Sequence, residues 1–264
     1  MTPVGFEDRV VAALKSLGVP ESMLSEIPPL QGIDGLMVYG SQARGDAIPG
    51  SDLDLLALVA APRASTRAGD VHVSYYTRDQ LTTGIGTLFG AHLKRDGKVL
   101  WDPSGSLGGA LDRMGTVDTD RLLERSRTMS QLFTTPAHDL PKYLPGLLRE
   151  ARYLLRSCLY ARAISDGEPC FSVRELAVRM GDPDLSQLLA SRQHSEPSET
   201  DYRNCLSRLE DIIGPFPESG DGSLEATVVN QWGQDGDVLS MAFMALGPSA
   251  EDINDYAEVE KILL

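Results

Sequence analysis

Phe6, Val10, Val11, Leu14 and Leu17 recur at the spacing of one helical face and Gly18 closes the run, so an amphipathic helix is predicted over 6–17. After Pro28 and Pro29 the pattern shortens. Gly35 to Tyr39 is an apolar run that begins and ends beside glycines, as a buried strand does. A turn-rich stretch then leads into Asp52 to Ala60, a second strand, and Val71 to Tyr76 reads as a third. Leu81, Ile85, Leu88, Phe89 and Leu93 fall on one helix face between Thr77 and Lys94. Lys98 to Trp101 is a short strand closed by Asp102 and Pro103. The order helix, strand, turn, strand, strand, helix, strand describes a compact α/β unit.

Beyond about Leu107 no further strand is predicted. Helical spacing and a content of Leu, Ala, Arg and Glu mark 119–133, 140–164, 172–180, 185–191 and 201–213. Polar breaks at 193–200 and 214–223 read as loops. Helices are also expected over 224–246, weakened by Gly233 and Gly236, and over 251–264. The expected domains are therefore 1–110, an α/β domain, and 111–264, an all-helical domain, with the junction between 103 and 118.

Charge narrows the function classes. The net charge of −14 argues against a surface that grips nucleic-acid backbone indiscriminately, since that grip needs clustered Lys and Arg. It suits solubility, a cationic small substrate or a basic protein partner. Cys158, Cys170 and Cys205 lie far apart without CxxC spacing, which fits neither a zinc site nor a disulfide framework. No apolar run approaches the ~18 residues of a membrane span. The N-terminal stretch carries acidic residues and lacks an uninterrupted apolar core, so a secretory signal is not expected and a cytoplasmic location is.

The residues that carry chemistry are Asp52 and Asp54. Alternate strand side chains share a face, so these carboxylates stand about 7 Å apart at the backbone, opposite Leu53 and Leu55. Two adjacent anions repel, and a hard divalent cation with oxygen ligands relieves the repulsion. Mg²⁺ would in turn bind triphosphate oxygens, which implies phosphoryl transfer. Just upstream, Gly40 follows a strand directly and lets a phosphate approach the backbone. Ser41 sits where a helix could begin and offers its hydroxyl and free N–H groups. Arg44 can reach the same anion or merely decorate the helix surface.

The string from Gly40 through Ser41, Arg44, Gly45 and Ser51 to Asp52 and Asp54 resembles the signature of the DNA polymerase β superfamily of nucleotidyltransferases. The resemblance covers roughly 34–102. It implies an α+β fold: an N-terminal nucleotidyltransferase α/β domain with a small mixed sheet, followed by an all-helical C-terminal domain. It further implies a Mg²⁺- or Mn²⁺-dependent enzyme that moves a nucleoside monophosphate from an NTP to a hydroxyl or phosphate and releases pyrophosphate. By that analogy Asp52 and Asp54 are metal ligands, and Gly40 and Ser41, with Arg44 and Ser51 beside them, bind nucleotide. The acceptor is open among a small molecule such as an aminoglycoside, an RNA end and a protein.

Family members usually carry a third carboxylate on the following strand. Here the apolar frame Val71 and Val73 encloses His72 instead, and Asp70 has the same strand parity. His72 can act as a general base, as a ligand for Mn²⁺ more readily than for Mg²⁺, or as a mark of a site that keeps only binding. The alternative function is accordingly a catalytically weak or inactive nucleotide- or partner-binding module, regulatory or antitoxin-like. His92 is expected to pack or cap. Lys94, Arg95 and Lys98 form a basic cluster best read as a solvated helix end. Arg149, Arg152 and Arg156 form a stripe on one helix face, either contacting an anion or solvated beside Glu150. A nuclease of the kind that pairs with minimal nucleotidyltransferases in bacterial toxin and antitoxin systems is disfavoured, because His138 and His194 sit near loops without the expected spacing from an Arg on one helix.

Overall fold

The computed structural model describes residues 5–134, 138–189, 196–232 and 236–247. The chain divides into two compact units, 1–116 and 117–264.

The first unit runs α1 (Phe6–Ser16), α2 (Glu21–Glu26), β1 (Ile33–Tyr39), α3 (Gly40–Arg44), β2 (Leu53–Val59), β3 (Thr66–Ala68), β4 (Val71–Thr77), α4 (Arg78–Thr83), α5 (Leu88–Asp96), β5 (Lys98–Trp101) and α6 (Ser106–Arg113). The strands form one sheet in the order β3-β4-β2-β1-β5. It is mixed: β2 and β4 are parallel, and the other neighbours are antiparallel. The four expected strands are present. The fifth, β3, is a three-residue, mostly exposed edge strand that hydrophobic alternation does not announce.

Alternation sorts the sheet's two faces. Leu36 and Val38, Leu53, Leu55 and Ala57, and Val71, Val73 and Tyr75 join Phe6, Val10, Leu14, Met23 and Leu24 in one core under α1 and α2. The opposite face carries Tyr39, whose ring meets Phe89 and His92 of α5 edge-on, and Tyr76, which lies 5.7 Å from Phe89. The helix expected across 77–94 is two helices. Thr77 starts the first with a capping box, Gly84 ends it, and Thr87 caps the second after Gly86, whose φ of 80° no helix interior accommodates. The sequence reasoning also passed over α2 and α6, both short. Gly35 admits α6: a Cβ there would lie 3.1 Å from the Leu107 Cβ.

The second unit is helical throughout its described residues: α7 (Thr119–Met129), a 3-10 turn over Ser130–Thr134, α8 (Leu140–Ser165), α9 (Val173–Met180), α10 (Asp184–Leu188), α11 (Glu199–Ile213), α12 (Leu224–Gln231) and α13 (Asp237–Leu246). The helix expected over 224–246 is thus two, and the one expected over 251–264 lies outside the described residues. The long helix α8 packs against α7, α11 and α13. Gly146 brings α8 and α13 into close approach, since a Cβ there would meet the Ala245 carbonyl oxygen at 2.0 Å. The arginine stripe on α8 is structural: Arg152 and Arg156 donate to the Leu188 and Leu189 carbonyls at the end of α10, and Arg149 pairs with Glu150 at 3.0 Å. The three cysteines are free and buried, and burial pushes the thiols of Cys158 and Cys205 up to about 12, which suits inert packing residues. Among the described residues no helix is long and apolar enough to cross a membrane.

Candidate active site

The turn from β1 into α3 needs Gly40. Its φ is +73°, which L side chains avoid, and a Cβ would stand 2.8 Å from Asp54 Oδ2. The Asp54 carboxylate therefore lies directly against the backbone where α3 begins. Gly45, at φ 80°, ends that helix after five residues, with its N–H and that of Asp46 donating to the Ser41 carbonyl. The chain then returns through a loop closed at Ser51, whose hydroxyl accepts from the Ile48 N–H at 2.9 Å. Asp52 follows, buried, just before β2. Its place is fixed from the other side by the Leu53 N–H, which donates to the Asp70 carbonyl at 2.9 Å.

Strand register completes the site. Tyr39 pairs with Asp54, Asp54 with His72, and His72 with Arg67 of β3. In-register partners share a face, so these four residues form one row across β1, β2, β4 and β3. Asp52, two residues before Asp54, faces the same way. His72 is buried, with Nδ1 3.9 Å from Asp54 Oδ1 and 3.5 Å from Ser74 Oγ. Burial and, secondarily, the Arg67 charge hold its imidazole below the ordinary histidine value. Asp70 sits at the mouth of β4, where its N–H donates to Glu26 Oε2 at 3.2 Å. That glutamate approaches over Gly69, where a Cβ would meet it at 2.2 Å. Sequence reasoning missed Glu26 and Arg67; both come to the site through elements too short or too polar to show a period.

Arg44 is turned elsewhere. Its guanidinium pairs with Asp46 at 3.2 Å and Asp96 at 3.4 Å, and donates to His92 Nε2 at 3.2 Å, tying α3 to α5. Arg95 also pairs with Asp96, and Lys94 donates to the Asp112 carbonyl, so two of the three residues of the basic cluster have protein partners. Accepting from Arg44 requires a lone pair on His92 Nε2, which makes that ring neutral. Full burial first, then the charges of Arg44 and Arg95, hold it down to about 3. His92 packs, as its position on a helix suggests.

Asp52 and Asp54 are the residues here that could hold a divalent cation, with His72 as the adjacent nitrogen donor. Among the described residues no three His, Cys, Asp or Glu side chains converge as a metal-binding group. A cavity of about 450 Å³ lies at the other end of the sheet among Asp34, Leu58, Arg78 and Trp101, away from the acids.

Residues 21–93 match a family described as the nucleotidyltransferase domain. That span lies within the first unit. The matched span runs from α2 to α5 and so contains every residue of the row, together with the Gly40 turn. The chain is α+β, and its second unit is helical in its described residues. No curated protein matches the chain. A solved structure of a nucleotidyltransferase-like protein from Exiguobacterium sibiricum 255-15 is similar at 15% identity, with 75% of this chain and 74% of that chain covered and a TM-score of 0.27.

Proposed function

We propose that this protein transfers a nucleoside monophosphate from an NTP to a hydroxyl or phosphate acceptor and releases pyrophosphate. The observation that carries this is the Asp54 carboxylate seated against the Cβ-less Gly40 turn, with Asp52 beside it, inside a nucleotidyltransferase domain. Asp52 and Asp54 would hold Mg²⁺ or Mn²⁺. Their oxygens suit a hard cation, and such an ion draws its remaining ligands from substrate phosphate and water. When bound, it supplies charge neutralisation at the reacting phosphate.

The chain's own residues do the positioning. Gly40 leaves room for the Asp54 carboxylate against the start of α3, and Ser41 and Ser51 supply hydroxyls for a phosphate. The acceptor oxygen attacks the α-phosphorus, the bond to the bridging oxygen breaks, and pyrophosphate leaves with the electron pair. The acceptor's proton passes to His72, whose imidazole borders Asp54, or to Asp70 at the strand mouth.

Calorimetric titration with the magnesium complexes of ATP, GTP, CTP and UTP identifies the donor, and pyrophosphate release measures turnover. Release is expected to stop when the metal is chelated and to fall at least ~100-fold in Asp54→Ala, about 2.7 kcal/mol of barrier. Undiminished release from that variant would overturn the assignment. A second reading draws on the buried His72 in place of a third carboxylate: a nucleotide-binding module without turnover. It requires NTP binding with no pyrophosphate release under any metal.

A further inference from the structure

The row has two unlike ends. On one side of Asp54 lies the Gly40 and Ser41 turn. On the other, beyond His72, lies Arg67, two strands from Asp54 and so about 10 Å across the sheet. Arg67 is exposed, and its Nε donates to the Gly69 carbonyl at 3.3 Å, which steadies the side chain along the β3–β4 turn. It makes no ion pair among the described residues, although the Glu26 and Asp70 carboxylates stand at the neighbouring turn. The other basic groups close to this face, Arg44 and Arg95, are engaged with Asp46 and Asp96.

Displacement at phosphorus is in line, with the nucleophile entering opposite the leaving group. On the transferase reading above, on which this inference rests, pyrophosphate departs on the Gly40 and Ser41 side. The acceptor then enters over His72 and meets β3. We infer that Arg67 is a substrate-contacting residue that binds an anionic group, a phosphate or a carboxylate, on the acceptor. A guanidinium offers such a group two parallel hydrogen bonds. A polycation such as an aminoglycoside would instead set its ammonium groups against the one basic side chain of the row. The acceptor class is therefore anionic, despite the acidity of the chain as a whole.

Two successive titrations of the full chain test this. The first adds Mg²⁺ and a non-hydrolysable analogue of the tightest-binding NTP. The second adds inorganic phosphate to that saturated complex and follows its phosphorus resonance. The saturated wild type is expected to bind phosphate. Arg67→Ala should weaken phosphate at least fivefold while leaving nucleotide affinity within twofold, and Arg67→Lys should fall between. Thermal melts of both variants check that the fold is kept. Unchanged phosphate affinity in Arg67→Ala, or no phosphate binding to the wild-type complex, would overturn the inference. So would a loss of nucleotide affinity as large as the loss of phosphate affinity, which would make Arg67 a donor contact. Failure of every NTP to bind in the first titration sinks the donor reading itself and takes the acceptor assignment with it.

Discussion

At the scale of single residues, what was legible depended on whether a side chain's role is set by its neighbours in sequence. Asp52 and Asp54 stood out because acids alternating with leucines have few other uses, and Gly40 because a glycine after a buried strand marks a backbone turn. Arg44 was not legible in the same way, since its partners Asp96 and His92 are about fifty residues away and only the packing of α3 on α5 brings them together. The His92 environment makes a prediction of its own. Its unfolded value is near 6.5 and its folded value about 3, so below pH 6.5 the unfolded chain takes up a proton that the native ring refuses. Its stabilising contribution is complete above pH 6.5 and drains away as pH falls toward 3. Chemical denaturation at pH 7.5 and pH 5 should show about 2 kcal/mol lost to this residue. The difference between the two pH values should shrink by that amount in His92→Gln.

At the scale of elements, hydrophobic period announced β1, β2, β4 and the long helices, because each buries a continuous face, and the short apolar run of the edge strand β5 showed as well although none of its residues is fully buried. It failed where an element is short, polar or interrupted: α2, α6, the edge strand β3, and the glycine break between α4 and α5. Those gaps hid two residues beside the candidate site, since Glu26 comes from α2 and Arg67 from β3. The β1–α3 junction shows how one element's geometry serves the site. Gly40→Ala places a Cβ in left-handed backbone and against Asp54, so the carboxylate has to move. Turnover is expected to fall at least tenfold while the melt reports only the ~1–2 kcal/mol of backbone strain. Full activity in that variant would mean that the contact between the turn and Asp54 has no part in the chemistry.

At the scale of the whole molecule, the change of texture near residue 107 foretold a helical second half, while the break between the compact units falls after α6, at 116. The stretch 114–118 has no regular structure. Limited proteolysis there is expected to give two protected fragments, seen by mass spectrometry; initial cutting inside β2 or α8 would contradict that division. The sheet's alternation has a last consequence. Leu53 and Leu55 lie in the core under α1 and α2 while Asp54 lies on the other face, so a slip of β2 by one residue would turn the carboxylate into that apolar core. Such a misalignment would cost several kcal/mol, because the carboxylate would be buried without a partner. Folding thus screens the chain for the alignment that the proposed transfer needs, and copies with a misplaced acid are culled before any substrate arrives.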